Sequence, residues 1–164
     1  MGGLWAVVAV AVFIVVGLIV AIKKSNRNVA EQAQSQPVKY TVGDKINSGS
    51  WIFCVTAVEN TQELKGKWEK KTENNFVVVH IECKNISNSD NFLDGKDFVL
   101  RAGNSSYTLS SAARCLDDGL IFTGIIALGS GLSAKYTLVF ETPIDVVRPL
   151  TLYVDRWGIP DIYL

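Results

Sequence analysis

Nineteen consecutive residues, Leu4 to Ile22 (LWAVVAVAVFIVVGLIVAI), carry no charge and no strongly polar side chain. As a helix rising about 1.5 Å per residue they extend roughly 28 Å, close to the ~30 Å hydrocarbon core of a bilayer. Such a run has no polar face to turn to water, so the chain divides into a lipid-compatible rod and whatever follows it. The flanks favour an uncleaved anchor over a signal peptide. Met1-Gly2-Gly3 holds no lysine or arginine, and the run is longer than the about 7–15 residues of a signal core. It ends at Lys23-Lys24 rather than in a small-x-small cleavage pattern, of which Asn28-Val29-Ala30 is a poor imitation. No cysteine follows closely enough for lipid modification after cleavage, and Gly2 lacks the Ser/Thr of a myristoylation motif. The expectation is one membrane helix within residues 1–24. Leu4, Trp5, Phe13 and Ile22 contact lipid, with Trp5 at the interface, and Lys23 and Lys24 mark the boundary. Lys23, Lys24 and Arg27 on the C-terminal flank favour a cytoplasmic position for the rest of the chain by the positive-inside rule.

Residues 25–39 begin SNRNVAEQAQSQPV, a polar, Gln-rich stretch without aromatics that reads as a flexible linker. Residues 40–164 are enough for one domain with its own core. They carry 12 basic and 15 acidic side chains, a net charge of about −3. Nothing there forms the basic footprint of a nucleic-acid binder.

This second part reads as β throughout. In Phe76–Lys84 (FVVVHIECK), Val77, Val79, Ile81 and Cys83 fall on one face and His80, Glu82 and Lys84 on the other. That alternation is the signature of a half-buried strand. Trp51–Val58 alternates likewise, and Phe98–Arg101, Ser106–Leu109, Leu120–Ile126, Lys135–Glu141 and Leu150–Asp155 are further candidates. Turn-forming clusters separate them at Asn85–Asn91, Asp94-Gly95, Gly103-Asn104, Asp117-Asp118-Gly119 and Gly129-Ser130-Gly131. Seven or eight short strands favour a two-sheet sandwich, because each needs a second layer over its apolar face.

The succession WIFCVTAVE, a charged loop, FVVVHIECKN, DFVLRAGNSSY, LGSGLSAKYTLVFETP and LTLYV resembles the bacterial domain-of-unknown-function family four-three-five-two over roughly Gly43 to Val154. Three local signatures carry the likeness: the Lys84-Asn85 turn, Asp97-Phe98-Val99-Leu100 with Tyr107 downstream, and Leu138–Pro143. The resemblance implies an all-β, immunoglobulin-like antiparallel sandwich on a membrane tether or lipid anchor, related to a secreted mycobacterial immunoprotective antigen. It implies no catalytic residues, and it favours an extracytoplasmic domain, against the flanking charges. Leu128 stands where the family has a proline, and Ala112–Ile125 is longer and more apolar than the pattern.

Residues able to carry chemistry are few. Cys54, Cys83 and Cys115 allow at most one disulfide. Alternation turns Cys83 inward and Cys54 outward, which disfavours bridging them, so the thiols are expected unpaired, with a bridge through Cys115 as the alternative. Their spacings match no zinc motif. His80 is the only histidine, so any Ser-His-Asp or Cys-His arrangement would need it; its place on a polar strand face reads as an ordinary solvated histidine. Asp90, Asp94, Asp97 and Asp117-Asp118 could offer oxygen ligands to calcium, but their spacing is not that of an EF-hand and turns favour Asp anyway. No metal or cofactor is therefore expected. Glu63–Glu73 reads as a solvated hairpin tip in which Trp68 is the exception, since tryptophan near lysines is typical of recognition surfaces. Trp68, Lys67 and Lys70 are the expected contacts with a protein partner, and Trp157–Pro160 a second patch or packing under the sandwich end.

Three functional readings compete. The first is a non-catalytic, membrane-anchored module for protein or ligand interaction at the cell envelope. The second is a pilin-like assembly subunit whose apolar helices pack together, although the basic leader expected before such a helix is missing. The third is an envelope hydrolase, which the single histidine and the lack of a nucleophile motif disfavour.

Overall fold

Strand alternation and turn glycines lay out two layers. A computed structural model describes residues 39–164 apart from Phe122, Val147 and Gly158 and the side chains of Trp157, Ile159 and Pro160. The expected anchor, Leu4–Ile22 with Lys23 and Lys24, and residues 25–38 of the expected linker lie outside the described residues. In chain order the strands are β1 (Tyr40–Thr41), β2 (Lys45–Ser48), β3 (Trp51–Lys65), β4 (Glu69–Asn85), β5 (Asn91–Asp94), β6 (Phe98–Ala102), β7 (Ser105–Thr108), β8 (Gly119–Leu120), β9 (Ile125–Leu128), β10 (Ser133–Thr142), β11 (Leu150–Val154) and β12 (Ile159–Tyr163). Short 3-10 turns occupy Gly95–Asp97, Ser111–Cys115 and Asp155–Trp157. Among the described residues no helix is long and apolar enough to cross a membrane.

The protein is an all-β sandwich. One sheet runs β1-β12-β11-β6-β7 and the other β2-β3-β4-β10-β8, with a separate β5-β9 ribbon. The pairing is mixed, not the purely antiparallel arrangement that the family resemblance implied: β1 lies parallel to β12, and β8 parallel to β10. Both parallel pairs are at sheet edges, reached by crossovers that local sequence does not announce. Gly49 and Gly103 (φ +56° each) turn the β2–β3 and β6–β7 hairpins, where a side chain would be strained.

Between the sheets, Trp51, Phe53 and Val55 of β3, Val77, Val79, Ile81 and Cys83 of β4, and Leu138 and Phe140 of β10 meet Phe98 and Leu100 of β6 and Leu150 and Leu152 of β11. Cys83 points inward and Cys54 stays half-exposed, as alternation requires. Each fully buried Leu, Val or Phe contributes about 1.5–3 kcal/mol, so this layer dominates the fold's stability.

β4 departs from simple alternation: Phe76, Val77, Val78 and Val79 are all buried. The reason is a second apolar layer on the outer face of the same sheet. Leu64, Phe76, Val78 and Val139 pack there against Ala112, Ala113 and Cys115. The long apolar segment after Tyr107 therefore serves as a cover. The strand expected over Leu120–Ile126 is in fact broken into β8 and β9, because Gly124 N–H turns back to the Ile121 carbonyl at 2.8 Å.

Candidate functional site

The β3–β4 hairpin carries the residues of greatest interest, and two irregularities shape it. Between Val55 and Ala57 the register slips by one residue, and the bulged Thr56 donates its hydroxyl to the His80 carbonyl (3.2 Å). Further out, Gln62 alone faces Thr72–Asn75, since Thr61 pairs with Phe76 and Glu63 with Lys71. Thr72 Oγ1 and Asn74 Nδ2 both donate to Glu141 Oε1 (2.5 and 3.3 Å), and Gln62 Nε2 donates to the Asn74 carbonyl (3.2 Å). Beyond this bulge Leu64 reaches the outer apolar layer.

The tip, Gly66-Lys67-Trp68, is fastened to the Ser111–Cys115 cover. Lys67 N–H donates to the Cys115 carbonyl at 2.6 Å, and Lys67 Nζ reaches the Leu116 carbonyl and Asp117 Oδ1, both at 3.4 Å. Gly66 lies so close that a Cβ there would run into the Cys115 carbonyl. Trp68 is left 53% exposed on this fixed tip. Lys70 is exposed in the strand opposite Leu64. Glu63, Glu69, Lys65 and Lys71 form an ion-pair ladder beside it, with Lys71 Nζ 2.6 Å from Glu69 Oε1. The hydrogen bond from Lys71 holds the Glu69 carboxyl below the usual range, and the same bond raises Lys71. The three residues singled out from sequence thus share one tip, but Lys67 is engaged within the molecule while Trp68 and Lys70 face solvent.

Next to the tip lies an open cleft of about 460 Å³ between Asp117, Asp118, Leu120 and Ile121 on one side and Lys135 and Tyr136 on the other. Behind it, Thr137 Oγ1 donates to Asp118 Oδ2 (2.7 Å) and lies 3.0 Å from His80 Nδ1. A carboxylate can only accept and a hydroxyl has one proton, so Asp118 takes that proton and His80 must donate from Nδ1. His80 Nε2 faces Glu59 Oε1 at 3.7 Å. A nucleophilic hydroxyl hands its proton to an imidazole; here the direction is reversed and the hydroxyl is buried. The line ties β10 to β4 and to the Asp117-Asp118 turn. His80 is therefore a half-buried, bonded residue rather than merely a solvated one.

Of the remaining candidates, Asp94 caps the Gly95–Asp97 turn through Lys96 N–H (3.1 Å) and pairs with Lys96 Nζ (2.9 Å), whose hydrogen bond lowers its pKa. Burial pushes the Asp97 carboxyl up, with Arg156 Nη1 4.0 Å from Oδ2. No three His, Cys, Asp or Glu side chains gather as metal ligands among the described residues. All three cysteines are free thiols, and Cys115 is buried in the outer layer rather than placed in an open loop, which sets aside a bridge through it.

Two features escaped the sequence reading. Asn85, fully buried, donates from Nδ2 to the Ser89 and Leu128 carbonyls (2.8 Å each) and accepts at Oδ1 from Ser87 N–H (2.9 Å) and Ser87 Oγ (2.7 Å). Its place in the Lys84-Asn85 turn was the available signal. The other is a groove of about 470 Å³ lined by Asn60, Gln62, Asn75, Ile144 and Arg148, which joins residues too distant in sequence to be associated.

Comparison with known proteins agrees with this architecture. Residues 40–159 match the family described as "Domain of unknown function (DUF4352)". No curated protein matches the chain. Among solved structures, the YjhA protein of Bacillus subtilis superposes with a TM-score of 0.55 at 18% identity, covering 76% of this chain and 98% of its own. A conserved hypothetical protein of Bacillus anthracis gives 0.58 at 17% identity, covering 74% and 94%. The secreted protein MPT63 of Mycobacterium tuberculosis gives 0.53 at 9% identity, covering 79% and 98%. At such identities the likeness is one of fold. With its β-sandwich matched from Tyr40 to Ile159, this chain belongs to the DUF4352 family.

Proposed function

We propose that the chain is a non-catalytic, immunoglobulin-like binding module, tethered to the membrane by Leu4–Ile22, that engages a protein partner through the β3–β4 hairpin tip. The observation that carries this reading is Trp68, 53% exposed on a tip whose neighbours Gly66 and Lys67 are pinned to Cys115 and Asp117. A large side chain carried on a fixed backbone loses less conformational freedom on binding than one on a mobile loop, which suits a contact anchor. Lys70 adds a cation nearby. The reversed proton arrangement at His80 supports a module without catalysis. The test is a photo-crosslinking amino acid at position 68 of the full-length chain in its host cells, paired with Trp68→Ala. A discrete crosslinked protein whose co-purification is lost in Trp68→Ala, at unchanged melting temperature, is expected. Crosslinks to lipid or to nothing would overturn the reading.

We propose that the domain lies outside the cytoplasm, a side supported by the secreted character of MPT63 and opposed by Lys23, Lys24 and Arg27. Cys54 reports on it directly, being a half-exposed free thiol. Labelling of Cys54 in intact cells by a membrane-impermeant maleimide is expected. Labelling only after lysis would put the domain inside. Release of the chain from membranes by carbonate would remove the tether.

A further inference from the structure

Among the described residues, the outer half of β3 has a strand neighbour on one side only. β2 pairs with Trp51–Cys54, and Gly43 N–H reaches the Val55 carbonyl at 2.8 Å. From Thr56 onward, β4 alone pairs with β3 among the described residues. Register is unbroken over Ala57–Thr61 and interrupted at either end by the two irregularities described above. An unpaired strand presents alternate backbone N–H and C=O groups to the outside, and bulges at its ends limit open-ended edge-to-edge association. The stretch is therefore a short, bounded template for one added strand.

Its two faces differ in chemistry. On the outer face Glu59 presents a carboxylate, its side chain 66% exposed, with His80 Nε2 3.7 Å away. On the other side lies the groove of about 470 Å³, of which Asn60, Thr61 and Gln62 form the β3 wall. The amides there are already engaged: Asn75 Nδ2 donates to Asn60 Oδ1 (3.0 Å) and Gln62 Nε2 to the Asn74 carbonyl (3.2 Å). Beside them the groove presents aliphatic surface at Ile144, 68% exposed, and the exposed side chain of Arg148. We infer that Ala57–Thr61 binds an extended segment of a partner protein by strand addition. The segment sets basic side chains against Glu59 and branched aliphatic ones into the Ile144 groove. Main-chain hydrogen bonds supply affinity in this mode, and alternate side chains supply selectivity. The inference goes beyond the reading of Trp68 and does not depend on it.

The test uses the full-length chain in detergent and fluorescent, end-blocked peptides of alternating lysine and valine. Controls are a glutamate–valine peptide and a lysine–valine peptide methylated on alternate backbone nitrogens. Fluorescence anisotropy should show the lysine–valine peptide binding roughly 10-fold more tightly than either control, because one control reverses the charge and the other removes the strand's donors. Glu59→Lys, at an exposed site where melting should not change, should reverse the preference between lysine and glutamate peptides. Trp68→Ala should leave it intact, so a failure of the tip reading is seen separately from a failure here. Equal binding of the methylated peptide, an unchanged preference in Glu59→Lys, or no binding at millimolar peptide would each overturn the inference.

Discussion

Asn85 shows how much one side chain can organise. Fully buried, it accepts twice from Ser87 and donates to Ser89 and Leu128, while its own N–H and carbonyl meet Leu132 and Gly131 (3.0 Å each). Removing the amide would leave the buried Leu128 carbonyl without this partner, worth about 1–3 kcal/mol, and would also undo the part-buried bonds to Ser87 and Ser89. Asn85→Ala is thus expected to lower unfolding free energy by roughly 2–4 kcal/mol in urea titration; a loss within error would show that water or rearrangement replaces those bonds. Asp97 offers a test by pH. Burial raises its folded pKa above the unfolded value, so its contribution is fully present at pH below the unfolded value and is lost as pH rises through the folded one. Asp97→Asn should accordingly melt higher than the parent at neutral pH, with the difference shrinking toward about pH 4. A gap that is constant with pH would point to lost packing instead.

At the scale of elements, the hairpin and the cover depend on backbone contact that only glycine allows. Gly66 abuts the Cys115 carbonyl, and a Cβ on Gly119 would strike the Ala113 carbonyl. Forcing a methyl into such a site typically costs about 1–3 kcal/mol. Gly66→Ala should lift the tip from the cover: the Lys67 amide should exchange faster with deuterium and Cys115 should become reactive to thiol reagents, while the inner layer keeps its protection. Unchanged exchange at Lys67 would mean that the tip is held by Leu64 alone. The position of this tip was legible in sequence, since the mixed-charge run Glu63–Glu73 lies between two alternating segments. Its strands were read as shorter than they are. Beyond Thr61 the side chains are mostly polar, and what holds them in place is the ion-pair ladder and the single buried Leu64 rather than an alternating apolar face.

For the molecule as a whole, the double-faced burial of the β4–β10 sheet sets the order in which thiols can react. Burial pushes the Cys83 and Cys115 thiols up, away from the reactive thiolate, whereas Cys54 lies half-exposed in an open hollow lined by Lys45, Glu82 and Lys84. Native protein should consume one equivalent of Ellman's reagent quickly at Cys54 and the rest only on unfolding, as checked by mass mapping of the labelled cysteines. Rapid labelling of Cys115 would show that the cover opens readily. The same two layers account for the apolar excess of Ala112–Ile125 over the family pattern, since Ala112, Ala113, Cys115 and Ile121 pack against Val78 and Val139.

The sequence by itself determined the all-β class, the inward course of Val77, Val79, Ile81 and Cys83, the hairpin tip with Trp68, and the family. These follow from period-two alternation, local turn chemistry and an ordered run of motifs, all of them properties of neighbouring residues. Only the tertiary structure decided that Val78 and Val139 are buried on the opposite face, that β8 and β12 find parallel partners, and that Thr137 meets His80 across 57 positions. Those contacts arise where segments meet in space, and a pattern that repeats every two residues carries no information about which distant segment will cover it.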